Sequence, residues 1–465
     1  MSCRNPADKC HCRAVHDTGS VTAITRQLAE VLSGVRYSGL PEQVRVDARR
    51  SVLDWFGSAL AGSRETPARA VRGVVARLGT SEEATIFGGG RGSAAVAALA
   101  NGVASHILEL DDVHKGSTLH AGAPIIPAAL AVAEREHASG ERFLLAVIVG
   151  YEAALRIGEA VNPSHYRFWH PTGTAATFGA AAAAGSLLRL TADEMLMALG
   201  TAGTQAAGLW EFNADGAMSK HLHPGKAAFN GVLSADLAQA GLTGASRILE
   251  GERGFFRAMS SSWDATRITD RLGAYWKISE NCYKLHSCCG HTHTAIDMAL
   301  EIGERASAIR EIHIQTYATG YEIVKEMQPR TPYQAQFSIA YCVAAALVDG
   351  VVGLAQFTPE RLTDPNILAL LARTQVTVEP DLTAKYPSAW PVRLTVRLED
   401  GTVIDKTSDY PRGNPENPVP TSVLERKMAA LLEPRFGSET AQAALKAVHC
   451  IDDCADMSTR FRRFA

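Results

Sequence analysis

The chain has 465 residues, more than one compact hydrophobic core usually holds, so two domains are the first expectation. Its 46 basic and 49 acidic residues leave a net charge of -3, and this near balance argues against a nucleic-acid-binding protein. No apolar run reaches the roughly 20 residues of a membrane-spanning helix, and the first residues lack the apolar segment of a secretory signal.

The first 20 residues are polar and contain three of the nine cysteines together with two histidines, namely Cys3, Cys10, His11, Cys12 and His16. Their spacing matches no zinc template, so residues 1–20 are predicted to be a disordered leader without a metal. An odd number of cysteines in a chain without an export signal indicates reduced thiols and a cytoplasmic location.

Residues 21–270 are predicted to form a large all-helical domain. Segments such as "PEQVRVDARRSVLDWFGSALAGS" and "FLLAVIVGYEAALRIGEAV" carry apolar residues at helical spacing. Many of these helices are rich in alanine and glycine, as in "TGTAATFGAAAAAGSLLRL". Small side chains let helix backbones approach closely, so we expect buried helices that pack against one another.

Residues 271–412 are predicted to form a smaller α+β lid domain. "IREIHIQTYA" has the alternation of a strand, and "FSIAYCVAAALVDG" is typical of a helix that ends at Gly350. Asp400 and Gly401 lie between two alternating runs and predict a hairpin. A proline-rich stretch over residues 411–420 follows, and the helices of residues 413–465 are expected to return to the helical domain. The predicted fold class is therefore mainly α.

The segment "LELDDVHKGSTLHAG" places titratable residues between two apolar helices, and includes Asp111, Asp112, His114, Lys115 and His120. The plain alternative is a solvated loop with helix-capping aspartates. Two adjacent carboxylates with two histidines within nine residues exceed what capping needs. We therefore expect this loop to face a functional cleft.

A second cluster, "YRFWHPTGTAATFG", contains Arg167, His170 and Thr172 ahead of a helix of small residues. A histidine at a helix start can present its imidazole and nearby backbone N–H groups to an anion. The alternative is a helix-start histidine without a ligand.

A third cluster, "MSKHLHPGKAAFNG", contains Lys220, His221, His223 and Lys226, which are predicted to lie just before an apolar helix. Four groups that are or can become cationic within seven residues suit a polycarboxylate. A solvated run of charge is the alternative.

The fourth cluster, "ENCYKLHSCCGHTHTAID", contains Lys284, His286, Cys288, Cys289, His291 and His293. Adjacent cysteines rarely bind one zinc ion, and an iron–sulfur cluster needs three or four well-placed cysteines. We therefore predict a pocket lining at a domain junction and no metal. The glycine-rich "FGGGRGSAAVAALANG" lacks the Gly-Lys-Ser/Thr of a P-loop, so it is interpreted as a turn into a buried helix and no nucleotide cofactor is expected.

These clusters, in this order, resemble the MmgE/PrpD family, which includes 2-methylcitrate dehydratases, cis-aconitate decarboxylases and iminodisuccinate epimerases. The resemblance covers about residues 21–436, and its matching segments include "LANGVASHILELDDVH", "FWHPTGTAATFGAAAAAG", "SKHLHPGKAAFNGVLSADLAQAG", "YKLHSCCGHTHTAID" and "YPRGNPENPVP". It implies a helical domain with a smaller α+β lid, a homodimer, an active site between the domains, and no added cofactor.

By motif, the resemblance places active-site residues at Asp112, His120, His170, Lys220 and the stretch from Lys284 to His293. Two departures stand out. The segment after the aspartate pair is short and His120 is followed by alanine, and the decarboxylases have a histidine where this chain has Cys289. The second departure disfavours decarboxylation.

The reactions of this family need a base, because a proton next to a carboxylate is a weak acid, and they need cations to absorb the developing charge. We predict the carboxylate clamp from Lys220, Lys284 and Arg167, the base from His170 or His223, and the acid for a leaving hydroxyl from His120. Asp112 is expected to orient a histidine or to act as base. Cys289 and His293 are expected to line the substrate pocket.

The first hypothesis is a cofactor-independent hydro-lyase that acts on a citrate-type di- or tricarboxylate. An epimerase of a dicarboxylate such as iminodisuccinate is the second, and a cis-aconitate-type decarboxylase is the third. A metal-dependent hydratase that uses Cys282, Cys288 and Cys289, and a non-enzymatic carboxylate-binding protein, are the remaining alternatives. The expected partners are the small-molecule substrate and a second copy of the chain, with neither nucleic acid nor membrane.

Overall fold

The computed structural model describes residues 23–79, 81–303 and 308–465. The predicted leader, residues 1–20, lies outside the described residues. The helices within the described ranges are, in chain order, α1 (Ile24–Gly34), α2 (Glu42–Gly62), α3 (Thr66–Val75), α4 (Ala94–Ser105), α5 (Gly122–Arg135), α6 (Gly140–Val161), α7 (Ala175–Leu187), α8 (Ala192–Gly203), α9 (Phe212–Asp215), α10 (Ser219–Gln239), α11 (Phe255–Met259), α12 (Thr266–Thr269), α13 (His293–Ile302), α14 (Ala318–Val324), α15 (Pro332–Gln336), α16 (Ile339–Asp349), α17 (Pro365–Leu371), α18 (Pro380–Thr383), α19 (Thr421–Phe436) and α20 (Ser438–His449).

Small residues let the central helices touch through their backbones. A Cβ added to Gly150 of α6 would lie 2.8 Å from the carbonyl oxygen of Gly179 in α7. A Cβ added to Gly102 of α4 would lie 2.8 Å from the Cα of Gly225 in α10. Helices α4, α5, α6, α7 and α10 thus form a tightly packed centre, as the alanine and glycine content predicts.

The C-terminal helices share the core of the first helices. Leu424, Met428 and Leu432 of α19 belong to the same hydrophobic core as Trp55 and Phe56 of α2. In addition, Lys427 Nζ donates to Asp54 Oδ1 over 2.6 Å. The chain therefore closes the helical part with segments from both of its ends.

A four-stranded sheet forms the second layer, with β3 (Ile309–Thr316), β4 (Thr374–Val378), β5 (Val392–Leu398) and β6 (Val403–Ser408) in the order β4-β3-β5-β6. Strands β3 and β4 are parallel, and the other pairs are antiparallel. The sheet shares a separate hydrophobic core with α13 and α16. The predicted β3 strand and the hairpin at Gly401, where φ is 88°, are confirmed. The predicted end of α16 at Gly350, with φ 65°, is confirmed too.

The mainly α fold class with a smaller α+β part is confirmed. The helical part also carries a short hairpin that the sequence analysis did not predict, with strands Ala84–Ile86 and Gly90–Gly92. Three residues per strand are too few for a visible alternation, so the glycines between them indicated only a turn. Across the described ranges, no helix is both long and apolar enough to cross a membrane.

Candidate active site

Nine titratable side chains gather between the helical part and the segment that leads into α13. Most are buried, and they come from the end of α4, the loop before α5, the loop before α7, the first turns of α10, and the segment before α13. They are His106, Glu109, Asp111, His120, His170, Lys220, His221, His223 and Lys284. We call this set the charged cluster.

The chain reaches the charged cluster through an irregular turn after α4. The sequence pattern extends a helix through "ASHILELD", but α4 ends at Ser105. Glu109 then adopts a φ of 53°, a backbone conformation that residues other than glycine rarely take. Such conformations persist where surrounding contacts hold them, often at functional sites.

One carboxylate lies close to two imidazoles. Asp111 Oδ2 lies 2.6 Å from His106 Nδ1 and 3.4 Å from His120 Nδ1. Although burial acts to raise it, the neighbouring His106, His120 and Lys284 hold the pKa of Asp111 well below its ordinary value. Asp111 is therefore a carboxylate that can stabilise a proton on the imidazole beside it.

The second nitrogen of His106 is free. His106 Nε2 is buried and has no hydrogen-bond partner among the described residues. The ring centroid of His106 lies 4.9 Å from that of His120 and 5.6 Å from that of His170. Because Nδ1 donates to Asp111, a neutral His106 carries its lone pair on Nε2. This nitrogen is available to exchange a proton with a bound molecule.

Two lysines from distant segments meet one glutamate. Lys220 Nζ forms an ion pair with Glu109 Oε1, and Lys284 Nζ lies 3.5 Å from Glu109 Oε2. Lys284 Nζ also lies 3.8 Å from Asp111 Oδ1. Although burial acts to raise it, the two lysines lower the pKa of Glu109 to about 2. The lysines are thus held as cations beside the imidazoles.

His170 and His223 bond to each other, with 3.1 Å between their Nδ1 atoms. One nitrogen must donate and the other accept, so the tautomers of the two rings are coupled. Burial lowers the pKa of His223 to about 4 and that of His170 well below its ordinary value, so both rings are neutral at pH 7. Trp210 and Phe212 lie edge-on to His170 and supply an apolar wall.

Asp112 bonds to the scaffold. Its carboxylate accepts hydrogen bonds from Gly122 N at 2.9 Å, Tyr151 OH at 2.5 Å and Asn281 Nδ2 at 2.7 Å. Burial raises the pKa of Asp112 to about 7. Its backbone carbonyl accepts from His120 Nδ1 at 2.7 Å. Asp112 therefore fixes the orientation of His120 through its main chain while its side chain is engaged elsewhere.

The remaining predicted site residues are spread more widely. Arg167 is exposed, with its guanidinium over the Phe168 ring at 5.1 Å, and no contact among the described residues joins it to the charged cluster. Cys289 is buried near the cluster, and burial raises the pKa of its thiol to about 12. His293 begins α13, where its Nε2 lies 3.4 Å from the carbonyl of Cys288.

One helix begins earlier in the structure than the sequence predicts. Helix α10 begins at Ser219, so Lys220, His221 and His223 lie in its first turns and not before it. Pro224 suggested a later start, because proline is disfavoured inside a helix. The first turn of α10 therefore presents its lysine and histidines directly to the charged cluster.

Four members of the charged cluster were not predicted as site residues: His106, Glu109, Asp111 and His221. His106 and Glu109 stand within an apolar pattern that predicted a continuous helix. Asp111 was singled out for its position next to Asp112, but Asp112 was chosen. Their spacing alone does not show which carboxylate faces the lysines.

Within the described ranges, two groups have potential metal-ligand atoms within 4.8 Å of one another, namely His106 with Asp111 and His120, and His114 with Glu159 and Glu280. In the first, Lys284 Nζ lies 3.8 Å from Asp111 Oδ1. In the second, Lys277 Nζ lies 2.9 Å from Glu159 Oε2. In both clusters a lysine ammonium lies close to a carboxylate and would repel a bound cation. Neither cluster is therefore well suited to a divalent ion.

Comparisons with known proteins cover nearly the whole described chain. The family model of the MmgE/PrpD N-terminal domain matches residues 26–268, and that of the MmgE/PrpD C-terminal domain matches residues 286–453. A cis-aconitate decarboxylase-like protein of Aspergillus oryzae is 28% identical over 94% of this chain and 96% of its own. The cis-aconitate decarboxylase of Homo sapiens is 27% identical over 94% and 93%. A 2-methylcitrate dehydratase of Cupriavidus necator is 29% identical over 56% and 57%.

Proposed function

The chain belongs to the MmgE/PrpD family, and we propose that it is a lyase that removes a proton next to a carboxylate of a small di- or tricarboxylate. The preferred reaction is dehydration of a hydroxylated, citrate-type substrate by side chains alone. The observation that carries the proposal is the buried His106–Asp111 pair: His106 Nε2 has no partner among the described residues, and Asp111 Oδ1 lies 3.8 Å from Lys284 Nζ.

His106 is the proposed base. Its Nδ1–H donates to Asp111, so the carboxylate stabilises the imidazolium that forms when Nε2 takes the proton. This is the arrangement that makes a histidine effective in proton transfer near neutral pH. In dehydration the same imidazolium then returns the proton to the leaving hydroxyl, and water departs.

Lys220 and Lys284 are the proposed stabilisers of the negative charge that develops on the substrate carboxylate. Both ammonium groups are nearly fully buried, where a fixed charge acts more strongly than in water. His120 donates through Nδ1 to the Asp112 carbonyl, so its Nε2 accepts and can orient the substrate hydroxyl. This assignment gives His120 a positioning role instead of the acid role expected from sequence.

Decarboxylation is the second candidate. The cis-aconitate decarboxylases align over more than nine-tenths of this chain, whereas the 2-methylcitrate dehydratase aligns over 56%. A decarboxylase needs an acid that protonates the carbanion after carbon dioxide leaves, and His106 in its protonated form would fill that role. Cys289, in the position where a histidine was expected for decarboxylases, favours dehydration.

Proton NMR of the chelator-treated enzyme in deuterated water tests the proposal, with citrate, 2-methylcitrate, cis-aconitate and iminodisuccinate as the substrate panel. A vinyl signal that grows from a citrate analogue supports dehydration. Replacement of the cis-aconitate signals by those of a product with one carboxylate fewer supports the second candidate. Deuterium that enters a stereocentre of iminodisuccinate without a new carbon skeleton would replace both with epimerisation. No change with any of the four would contradict proton abstraction from this class.

A homodimer and a cytoplasmic location remain predictions. Four exposed apolar side chains support the homodimer, because they come from neighbouring segments around the charged cluster. They are Phe168, Leu209, Met218 and Leu222. Backbone contacts join the segments of Trp169 and Leu209, so Phe168 and Leu209 come from neighbouring segments.

A further inference from the structure

A surface cavity on the helical part is lined by three arginines. The cavity has a volume of about 610 Å³ and lies between the end of α1, the start of α6 and the turn that joins α7 to α8. Its arginines are Arg36, Arg142 and Arg189, and Glu141 is the carboxylate in its lining. The chain as a whole carries a net charge of -3, so this concentration of positive charge is local.

The guanidinium groups have no carboxylate partner among the described residues. None of the three forms an ion pair there, and Glu141 does not pair with them either. Arg142 is the most enclosed of the three, and its Nη2 donates to the carbonyl of Leu187, which fixes its direction. Burial and then the charge of Arg189 lower the pKa of Arg142, although the nearby Glu136 carboxylate acts to raise it, so the two cations stand close enough to repel.

Backbone geometry keeps Arg189 next to Arg142. Arg189 follows the end of α7 with a φ of 56°, in the left-handed region that glycine usually occupies at a helix end. The Leu190 N–H donates to the Gly185 carbonyl over 3.0 Å and closes this turn. The backbone turn ends the helix without help from the Arg189 side chain, and that side chain lines the cavity.

The floor of the cavity is apolar. Leu32 and Leu190 are 2% and 5% exposed, and Leu145 completes this surface. Helices α6 and α8 begin at the rim, where Ser139 and Thr191 cap them and acidic residues lie in their first turns, so the arginines supply the positive charge of the cavity. A ligand that binds both the arginines and the apolar floor needs a multiply charged oxyanion attached to an apolar group.

We propose that this cavity binds an organic phosphate monoester, with the phosphoryl oxygens on Arg36, Arg142 and Arg189 and the organic group on Leu32, Leu145 and Leu190. Guanidinium groups suit phosphate because they donate two parallel hydrogen bonds to it. The site is separate from the charged cluster. Arg142 stands nine residues before Tyr151 on α6, which is about 14 Å along the helix axis.

Isothermal titration calorimetry with phenyl phosphate at low ionic strength tests the site in the full-length protein. We expect saturable binding of one molecule per chain, and about tenfold weaker binding in Arg189→Gln and in Arg36→Gln, since each loses a charge-assisted contact. Both residues are exposed, so the variants should fold. Arg253→Gln, which removes an exposed arginine outside the cavity, should bind within about twofold of the unmodified protein.

Two further comparisons locate the ligand and define its chemistry. Lys220→Gln should bind phenyl phosphate unchanged, whereas a loss there would move the site to the charged cluster and overturn the proposal. Inorganic phosphate should bind more weakly than phenyl phosphate, and equal binding would overturn the role of the apolar floor. Absence of saturable binding, or equal weakening by Arg253→Gln, would also overturn it.

Discussion

His106 Nδ1 lies 2.6 Å from Asp111 Oδ2, and neither residue is more than 1% exposed. A buried imidazole–carboxylate pair normally satisfies its polar atoms, yet His106 Nε2 has no partner among the described residues. A bound substrate would supply that partner. The His106–Asp111 pair is therefore the part of the charged cluster where a substitution should affect proton transfer most directly.

Replacement of His106 by glutamine should lower kcat by about 10²- to 10⁴-fold, because an amide cannot carry the proton. KM should change little, since the lysines that bind the substrate remain. Steady-state kinetics on the substrate found by NMR measure both constants. His137→Gln is the control, because His137 is exposed and pairs with Asp456 far from the charged cluster. Equal losses of activity in both variants would contradict the assignment.

Lys220→Gln should lower kcat/KM by about 10²-fold or more, because a buried charge that stabilises the transition state is lost. The matched control is Lys226→Gln on the same helix, where Lys226 Nζ donates to the Gln205 carbonyl over 3.0 Å and lies outside the charged cluster. Circular dichroism should confirm that both variants keep the helical fold. Full activity of the Lys220 variant would show that Lys220 has no part in the proposed mechanism.

Asp112→Asn should change the pH dependence of stability more than it changes catalysis. The folded carboxyl takes up its proton at about pH 7, whereas the ordinary pKa of aspartate is 3.8. Between these values the folded state binds more protons, so the stability of the unmodified protein falls as pH rises from 4 to 7. The stability of the asparagine variant should not fall with pH in this way, because an amide does not titrate.

The corresponding measurement is the free energy of unfolding of both proteins in urea at pH 5 and pH 8. Between these two pH values the unmodified protein should lose about 2.7 kcal/mol relative to the variant, because about two pH units of the shift lie above pH 5. A difference that does not depend on pH would show that the Asp112 carboxyl is ionised throughout. A large loss of kcat with normal stability would instead support the base role expected from sequence.

The thiol of Cys289 should not act as a nucleophile. Burial raises its pKa to about 12, so it is protonated at pH 8 and should react slowly with iodoacetamide. Mass spectrometry of digested protein can compare its alkylation with that of Cys450, which is less buried. Cys289→Ser should keep at least about a third of the activity if the residue only lines the site. Rapid alkylation of Cys289 that abolishes activity would contradict this.

A homodimer should appear as twice the 49.7 kDa of the chain in light scattering coupled to size exclusion. Leu209→Lys together with Leu222→Lys should shift this mass to the monomer, because both side chains are exposed and apolar. Leu242→Lys is the control, since Leu242 is exposed elsewhere on the helical part. A monomeric unmodified protein would refute the dimer.

Local patterns predicted much of the fold. The alternation of "IREIHIQT" and the Asp400-Gly401 turn give β3 and the β5–β6 hairpin, because strand period and turn chemistry act over a few neighbouring residues. The small residues of α6 and α7 likewise predict close helix packing. The start of α10 was placed too late, because Pro224 suggested a break but lies inside the helix.

The site was predicted in part. The structure brings His120, His170, His223, Lys220 and Lys284 together, but Arg167 has no described contact with them. Asp111 and Asp112 are adjacent in sequence, yet one faces the histidines and the other faces Tyr151 and Asn281. The direction of each side chain depends on the turn at Glu109, which carries no glycine or proline signal.

The contact between Asp54 in α2 and Lys427 in α19 joins residues 373 positions apart. At a synthesis rate of about 5 to 20 residues per second, the ribosome needs roughly 20 to 75 s to deliver the partner of α2. Throughout that interval Trp55 and Phe56 lack the part of their cover that α19 supplies. The nascent chain therefore has to avoid aggregation while one face of its first long helix lacks this cover.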